Sequence, residues 1–307
     1  TASKVLGIVL TKRSNGDKEP LPMAGFPYHA IDTYLPKLVQ AGYKVAVCDQ
    51  LEDPKLAKGL VKREVIKVVT PGTNMNIMSL DSGKNNFLMC ICHQDNGTGC
   101  SVCDVSTGDY YATEIKETNN FSRLLDEIAR YTPAEIVVNE LMYSSKEEID
   151  KIKERFQSYI SKVEDEKFIG EASTLESKYK IVDNNDEEIK DINNKALALN
   201  AISELEYYFD ETQKMKLEHI NKIKIYNTTK YMSLDINARR NLEITEKMRD
   251  KSKKGTLLWV LDKTCTSMGG RMLRRWLNDP LIDVKEINSR LDAVEELKEN
   301  MMLKGEL

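Results

Sequence analysis

Residues 22–73 read PMAGFPYHAIDTYLPKLVQAGYKVAVCDQLEDPKLAKGLVKREVIKVVTPGT, and this stretch decides the fold of the first part of the chain. Its apolar residues recur at helical spacing and predict an amphipathic helix: Ile31, Tyr34, Leu35, Leu38 and Val39. Gly42 stands where a C-cap glycine ends such a helix. A strand over 44–48, a helix over 54–60 and an alternating strand over 64–69 follow. The stretch therefore predicts a mixed α/β domain.

The residues before this stretch predict a strand and a loop. The strand is indicated by four apolar residues, Val5, Ile8, Val9 and Leu10. The loop is SNGDKEPLP, residues 14–22, because Gly16, Pro20 and Pro22 disfavour regular structure there.

Length and composition predict a globular protein of several domains. A chain of 307 residues can form two or three domains with separate cores. Charged residues make up 31% and apolar residues 41%, and no apolar run reaches the roughly 18 residues of a membrane helix. The first residues show no signal-peptide pattern. We expect a cytoplasmic protein, and the missing initiator Met and charged ending predict a piece of a longer one.

The net charge of −4 conceals a gradient along the chain. Residues 1–73 carry eleven Lys and Arg against seven Asp and Glu, a surplus of four positive charges. Residues 140–191 carry nine basic against fifteen acidic residues, a surplus of six negative charges. The first section can therefore meet phosphate, whereas the middle section repels a nucleic acid.

The second section, residues 74–192, predicts a sheet flanked by helices. FLMCICHQDNGTGCSVCDVSTGDYYATEI, residues 87–115, indicates a hairpin around an Asp-Asn-Gly turn. The elements expected after it are a helix over 121–131, an apolar strand over 135–138, and a polar helix capped by Ser144 and Ser145. The pattern weakens into an acidic, Asn-rich connection over 161–194, where we place the boundary.

The third section, residues 193–307, is predicted to be mainly helical. The expected elements are a helix over 194–214, strands over 222–226 and 230–233, and a helix over 237–249. Three later helices have predicted N-caps, at Thr256, at Ser267, and at Asp283 in a capping box with Glu286. An apolar stripe in the last helix predicts packing against another helix: Val284, Ile287, Leu291 and Val294.

Motifs for nucleotide hydrolysis and for nucleophilic catalysis are missing. None of the fifteen glycines begins a P-loop. The pair Gly269 and Gly270 can hold an anion at a helix N-terminus, although close helix packing is the simpler interpretation. His29 has no Ser, Cys or acid at triad spacing, and we interpret it as a loop or helix-start residue.

Four clustered cysteines, Cys90, Cys92, Cys100 and Cys103, lie near His93 and suggest a metal site. On hairpin strands Cys100 and Cys103 point to opposite faces, because they are three positions apart, an odd number. The four thiols cannot then converge on one zinc ion. Small buried thiols are the favoured interpretation, and a metal is the alternative.

Asp104 is the residue on which a nuclease of RNase H type would depend. Such an enzyme needs several carboxylates around paired metal ions. Glu135 and Glu140 only flank their apolar strand, so a structural role for Asp104 is favoured.

Basic residues of the first section form two groups that can contact nucleic acid. One group is Lys55, Lys58, Lys62, Arg63 and Lys67, for which a solvated face is an equal alternative. The other is Lys12, Arg13 and Lys18 with Pro22 and Met23, where an apolar tip between basic residues can enter a minor groove.

Three blocks of the sequence resemble the MutS family of DNA mismatch-repair proteins. PMAGFPYHA, KLVQAGYKVAVCDQLEDP and KGLVKREVIKVVTPGT resemble that family's mismatch-recognition domain. LDINARRNLEITE, LLWVLDKT and TSMGGRMLRRWLNDPL resemble the start of its helical core, the lever region. The resemblance implies a multidomain α/β plus all-α chain: a partial mismatch-recognition domain over 1–73, an RNase H-like connector over 74–192 and the lever start over 193–307.

The resemblance also implies a function, partners and site residues. A protein of this family binds mispaired or looped duplex DNA as a homodimer and signals to MutL. Pro22 and Met23 match a loop that approaches the minor groove, and Lys12, Arg13 and Ser14 lie beside it, so these five are the expected DNA contacts. The resemblance places the family's Phe-x-Glu wedge before residue 1 and its ATPase after residue 307. We therefore expect no enzymatic activity or cofactor here, ATP and Mg²⁺ use in the longer protein, and weak, salt-dependent DNA binding by this chain.

Two alternatives remain at the level of the sequence. One is a metal-dependent RNase H-like nuclease that uses Asp104, and the other is a purely structural scaffold whose basic loop never meets DNA.

Overall fold

The computed structural model describes residues 1–15, 18–52, 61–75, 81–116, 121–163, 172–183, 186–189, 192–214, 217–232 and 234–300, with residues 302 and 305. The predicted helix over 54–60, with Lys55 and Lys58, lies outside the described residues. The chain forms two compact units, residues 1–121 with 131–226 and residues 122–130 with 227–307.

The first section of the first unit contains two short helices and two antiparallel strand pairs. Its elements are α1 (Ala2–Leu6), β1 (Thr11–Asn15), β2 (Lys18–Met23), α2 (Ile31–Gln40), β3 (Val45–Gln50) and β4 (Arg63–Val69). β1 pairs with β2, and β3 pairs with β4. Leu35 and Val39 of α2 pack against Val69 in a small core. Gly42 follows α2 with a φ of 81°, and its amide donates to the Val39 carbonyl at 2.9 Å, as expected of a C-cap glycine.

The predictions for residues 5–10 and 14–22 are wrong. Helix α1 replaces the predicted strand and ends at Gly7, whose φ of 66° is left-handed. Residues 18–22, predicted as loop, belong to β2. Both strands of a two-stranded pair are edge strands, and an edge strand accepts Pro because the Pro nitrogen can face away from its partner.

A mixed seven-stranded sheet forms the rest of the first unit. Its strands are β5 (Leu88–Gln94), β6 (Gly97–Asp104), β7 (Asp109–Ile115), β8 (Glu135–Val138), β9 (Tyr159–Lys162), β10 (Lys180–Val182) and β11 (Lys222–Ile225). The order across the sheet is β10-β11-β7-β6-β5-β8-β9, and β6 is antiparallel to both of its neighbours. Asp95 and Asn96 form the turn of the β5–β6 hairpin, so the predicted hairpin is confirmed.

Helix α7 (Ala196–Gln213) covers one face of this sheet. Its buried side chains, such as Ile202 and Leu205, share a core with residues of β5, β6, β7 and β11. The helix approaches β6 so closely that a Cβ at Gly99 would lie 1.9 Å from the Leu197 carbonyl oxygen. The sequence assigns α7 and β11 to the third section, whereas in the structure they complete the sheet.

Four further helices lie between strands β7 and β10 along the chain. They are α3 (Phe121–Tyr131), α4 (Glu140–Ser144), α5 (Lys146–Arg155) and α6 (Ala172–Lys178). The predicted helix over 121–131 and strand over 135–138 are confirmed. Ser145 stands at the N-cap of α5 without a capping hydrogen bond, because its hydroxyl donates to the Leu141 carbonyl at 3.4 Å.

The second unit is helical. It contains most of α3. Its other helices are α8 (Ile236–Asn241), α9 (Leu257–Leu261), α10 (Ser267–Asn278) and α11 (Val284–Glu299). The helix predicted over 237–249 stops early, since Glu243 has a φ of 44°. The strand predicted over 230–233 is also wrong, because Lys230 ends a 3₁₀ turn and Tyr231 makes only an isolated bridge with Leu281.

The helix caps of the second unit agree with prediction at two of three positions. Thr256 accepts from the Trp259 amide at 3.2 Å, and Asp283 accepts from the Glu286 amide at 3.0 Å. Thr266, one residue before the predicted Ser267, caps α10 by accepting from the Gly269 amide. The stripe on α11 is not covered within the described residues, since Val284, Leu291 and Val294 are all more than half exposed.

Candidate nucleic-acid interface

The β1–β2 hairpin brings the predicted contact residues together. Lys12 lies opposite Pro22, Thr11 opposite Met23, and Arg13 opposite Leu21. The Thr11 hydroxyl donates to the Met23 carbonyl at 2.9 Å, which ties the open end of the hairpin. Ser14 follows within β1, and its side chain lies outside the described part of the structure.

The pairing divides these side chains between two faces. Opposed residues of an antiparallel pair share a face, and successive residues alternate between faces. Arg13, Leu21 and Met23 therefore lie on one face with Thr11, whereas Lys12 and Pro22 lie on the other. Leu21 is 57% exposed and Met23 46% exposed, so the first face offers apolar side chains beside a guanidinium. We call this set, Arg13, Leu21 and Met23, the apolar–basic face.

Leu21 is the member of this face that is not among the five DNA contacts expected from the sequence. The available signal was the alternation in Pro-Leu-Pro-Met, which places Leu21 and Met23 on the same side of a strand. It was overlooked because two prolines predicted a loop.

The loop after β2 is anchored to helix α2. Phe26 stacks on Tyr34 with ring centroids 4.6 Å apart. The next residues, Tyr28 and His29, begin a 3₁₀ turn that leads into α2, and both are exposed. The interpretation of His29 as a helix-start residue is confirmed.

The second basic group is only partly described. Lys62 forms a surface ion pair with Glu64 at 2.7 Å, and Arg63 lies opposite Gln50 at the end of the β3–β4 pair. Lys67 is half-buried opposite Val47. One of the three described basic residues is thus already partnered, which makes this group a weaker candidate than the β1–β2 hairpin.

Asp104 is a structural residue of the β6–β7 turn. It is fully buried, and one oxygen accepts from the Ser106 amide at 2.9 Å and from the Ser106 hydroxyl at 2.6 Å. The other accepts from Asn85 Nδ2 at 2.8 Å and from the Asn86 amide at 3.2 Å. Within the described residues no group of three His, Cys, Asp or Glu side chains can hold a metal ion. The carboxylates required for two-metal cleavage are therefore not assembled in this part of the chain.

The four clustered cysteines are buried and form no disulfide, and small buried thiols are the favoured interpretation. Register places Cys103 opposite Leu88 and Cys100 opposite Ile91, so these two thiols lie on opposite faces of the sheet. Cys90 Sγ donates to Glu204 Oε2 at 3.3 Å. Burial first, and the nearby Glu204 second, raise the pKa of Cys90 well above its usual value.

Gly269 of α10 lies close to the residues just before its own helix, whereas packing of the glycine pair against another helix stays a prediction. A Cβ at Gly269 would lie 3.3 Å from Thr264 Cβ and from Thr266 Oγ1. The Gly269 amide, which would have to face an anion, already donates to Thr266.

The exposed hairpin, the mixed sheet with its covering helix and the helical second unit define a multidomain protein with α/β and helical parts. Comparison with known proteins gives its family. Family models for MutS domain I, MutS domain II and MutS domain III match residues 1–77, 86–221 and 237–307. The chain belongs to the MutS family.

Curated relatives resemble the chain along its whole length. It is 49% identical over 306 residues to the DNA mismatch repair protein MutS of Ruminiclostridium cellulolyticum, covering 99% of this chain and 34% of that protein. It is 47% identical over 306 residues to the protein of that name from Acetivibrio thermocellus, covering 100% of this chain and 35% of that protein. The chain therefore spans about a third of the length of these relatives. The domain boundaries at 73/74 and 192/193 stay predictions.

In the described part of the chain, no helix combines the length and the hydropathy needed to cross a bilayer.

Proposed function

We propose that this chain is the DNA-reading and relay portion of a mismatch-repair protein that binds mispaired or looped duplex DNA. The observation that carries the proposal is the identity of 49% over 306 residues to a protein named for DNA mismatch repair. An identity of that size without long gaps supports a shared role for the corresponding residues.

The apolar–basic face supplies a physical route to DNA. Exposed Leu21 and Met23 can press into a minor groove, while Arg13 beside them contacts a phosphate. Lys12 and Pro22, on the other face, can meet the backbone of the adjoining strand. Because the hairpin is only two strands wide, both of its faces can contact DNA.

The middle of the chain is proposed to be an RNase H-like connector without nuclease activity. Strands β7-β6-β5-β8-β9 support this, because β6 alone runs against the others in that order. Its acidic sequence favours a protein partner over DNA. We propose MutL as that partner, a homodimer as the working form, ATP and Mg²⁺ as ligands of other parts of the protein, and the cytoplasm as its location.

Fluorescence anisotropy with a labelled 20-base-pair duplex tests DNA binding by the 307-residue chain. Each lost phosphate contact lowers the slope of log K against log salt by about 0.9. We expect that reduction for Lys12→Ala and for Arg13→Ala, and no change for Lys146→Ala, an exposed residue of α5 in the acidic middle section. A parental slope in both hairpin variants would overturn the contact assignment.

Mismatch preference is tested in the complete protein. Two duplexes, one with a central G·T pair and one fully matched, are each titrated with the unsubstituted complete protein (the parent) and with its Met23→Ala variant. We expect Met23→Ala to weaken binding to the G·T duplex, and equal affinity of the parent for both duplexes would overturn the proposed function.

A further inference from the structure

The first residues after β4, 70–74, are largely buried, unlike those of most connecting segments. Thr70, Thr73 and Asn74 have almost no exposed surface. The Thr70 amide donates to Thr73 Oγ1 at 3.0 Å, and the two hydroxyl oxygens lie 2.9 Å apart. Residues 70–73 therefore form a closed turn held by its own side chains.

The turn is hydrogen-bonded to a single buried carboxylate, that of Glu135. Glu135, the first residue of β8, is fully buried, and its Oε2 accepts from the Gly72 amide at 3.1 Å. Its Oε1 accepts from Ser161 Oγ of β9 at 2.5 Å and from Tyr208 Oη of α7 at 2.6 Å. Three segments that are distant in sequence thus donate to one side chain.

The turn lies directly on the sheet, with no space for a side chain at Gly72. A Cβ there would lie 2.7 Å from Leu88 Cδ1 and 2.9 Å from Glu135 Cβ. Such distances are well inside van der Waals contact, so the backbone of the turn packs against the end of the sheet more closely than any residue with a Cβ would allow.

The first section makes a second contact at the same place. Lys44 Nζ, just before β3, lies 5.2 Å from the ring centroid of Tyr208 and 5.8 Å from that of Tyr159. Burial, and then the charge of Glu135, raise the pKa of Tyr208, so its hydroxyl keeps the proton that it donates.

We propose that Glu135 is a positioning residue that fixes the part of the first section before the turn, residues 1–69, on the mixed sheet, so that the two move as one body. A buried acid that accepts from the turn, β9 and α7 sets the orientation of the turn more narrowly than apolar contact does. The idea that this contact between the turn and Glu135 orients the DNA-reading hairpin rests on the function proposed above. The contact itself is testable without DNA.

The test is a distance measurement between two spin labels in the 307-residue chain. One label is placed on Cys48, an exposed thiol of β3, and the other on Glu147→Cys, at an exposed position of α5. Cys265→Ser removes the other exposed thiol. In the parent we expect one narrow distance distribution. In Glu135→Gln we expect a distribution at least about twofold wider, because an amide NH₂ replaces one acceptor oxygen and faces a donor.

Glu114→Gln is the matched control. Glu114 Oε1 accepts from the Leu197 amide of α7 at 3.2 Å, and its side chain is 5% exposed. Its other described partners are Lys195 at the N-cap of α7 and Lys116 just after β7, so none of its described partners belongs to residues 1–73. We expect it to lower stability and to leave the distance distribution unchanged. Tyr208→Phe, which removes one donor and retains the ring, is expected to widen the distribution by less than Glu135→Gln, and it decides the question if Glu135→Gln does not fold.

The proposal is overturned if the parent distribution is already broad, if Glu135→Gln and Tyr208→Phe both match the parent, or if Glu114→Gln widens the distribution equally. Since no DNA is present, a failure of the proposed DNA function leaves this result intact, and the reverse also holds.

Discussion

Arg130 Nε lies 2.8 Å from Asp279 Oδ1, and both side chains are less than a tenth exposed. The pair joins α3 to the end of α10 inside the second unit. Arg239 approaches the same oxygen at 4.0 Å, and the Arg130 guanidinium lies 4.5 Å from the ring centroid of Tyr231. The end of α10 around Asp279 is therefore held by charge in a site largely closed to water.

Removing one member of this pair is expected to be costly. Arg130→Ala or Asp279→Ala lowers the free energy of unfolding by about 3–5 kcal/mol, because the remaining charge stays buried without its main partner. Chemical denaturation followed by circular dichroism measures the change. Lys62→Ala, which breaks the exposed pair with Glu64, serves as the control and costs less than about 1 kcal/mol. Similar losses in the buried and exposed pairs would contradict the interpretation.

Gly99→Ala tests the fit of α7 on the sheet. The new methyl group would meet the Leu197 carbonyl at 1.9 Å, and backbone cannot yield as a side chain does. We expect a loss of about 3 kcal/mol or more, at the upper end of overpacking effects. Gly25→Ala meets nothing within 4 Å and is expected to change stability by less than about 0.5 kcal/mol. Equal urea midpoints for the two variants would show that α7 does not lie this close to β6.

Thiol labelling distinguishes the buried cysteines from the exposed ones. Cys48 and Cys265 are exposed, whereas Cys90, Cys92, Cys100 and Cys103 are buried. Burial also raises the pKa of Cys90 and of Cys103, which disfavours the reactive thiolate. At pH 8 we expect two thiols to react rapidly with a chromogenic disulfide and all six to react in denaturant. Rapid reaction of four or more native thiols would contradict the described packing.

Leu21 and Leu291 are similarly exposed, but only Leu21 belongs to the apolar–basic face. Replacing each by Ala is therefore expected to change DNA affinity unequally. Leu21→Ala is expected to weaken binding of the chain to duplex DNA at least about threefold, since it removes apolar surface from the groove contact. Leu291→Ala is the control, because Leu291 is 59% exposed on α11 and Leu21 is 57% exposed. Anisotropy titration at low salt measures both. Parental affinity for Leu21→Ala would remove Leu21 from the interface.

Local patterns were sufficient to predict several elements. Helix α2 follows from the spacing of Leu35 and Val39 and from Gly42, and the β5–β6 hairpin follows from its Asp-Asn-Gly turn. In each case residues a few positions apart carry the information. The family was also evident from sequence, because its motif blocks occur in order.

The errors arose where distant contacts outweigh local preference. Pro20 and Pro22 argued against a strand, yet pairing with β1 makes one, so the hairpin and Leu21 were missed. The packing of α7 on the sheet could not be predicted from its periodicity, and the sequence does not reveal that β11 pairs in parallel with β7, more than a hundred residues earlier. Glu135 looked like a flanking acid, since none of its three donors is near it in sequence.

The second unit has a consequence for how the gene can be divided. Its first part, residues 122–130, is encoded within the span of the first unit, and the chain passes from one unit to the other three times. No single cut separates the two units as intact pieces: a truncation after residue 226 retains α3 but removes the rest of the unit to which it belongs. Recombination or domain grafting must therefore carry residues 122–130 and 227–307 together, which makes the two units a single heritable block.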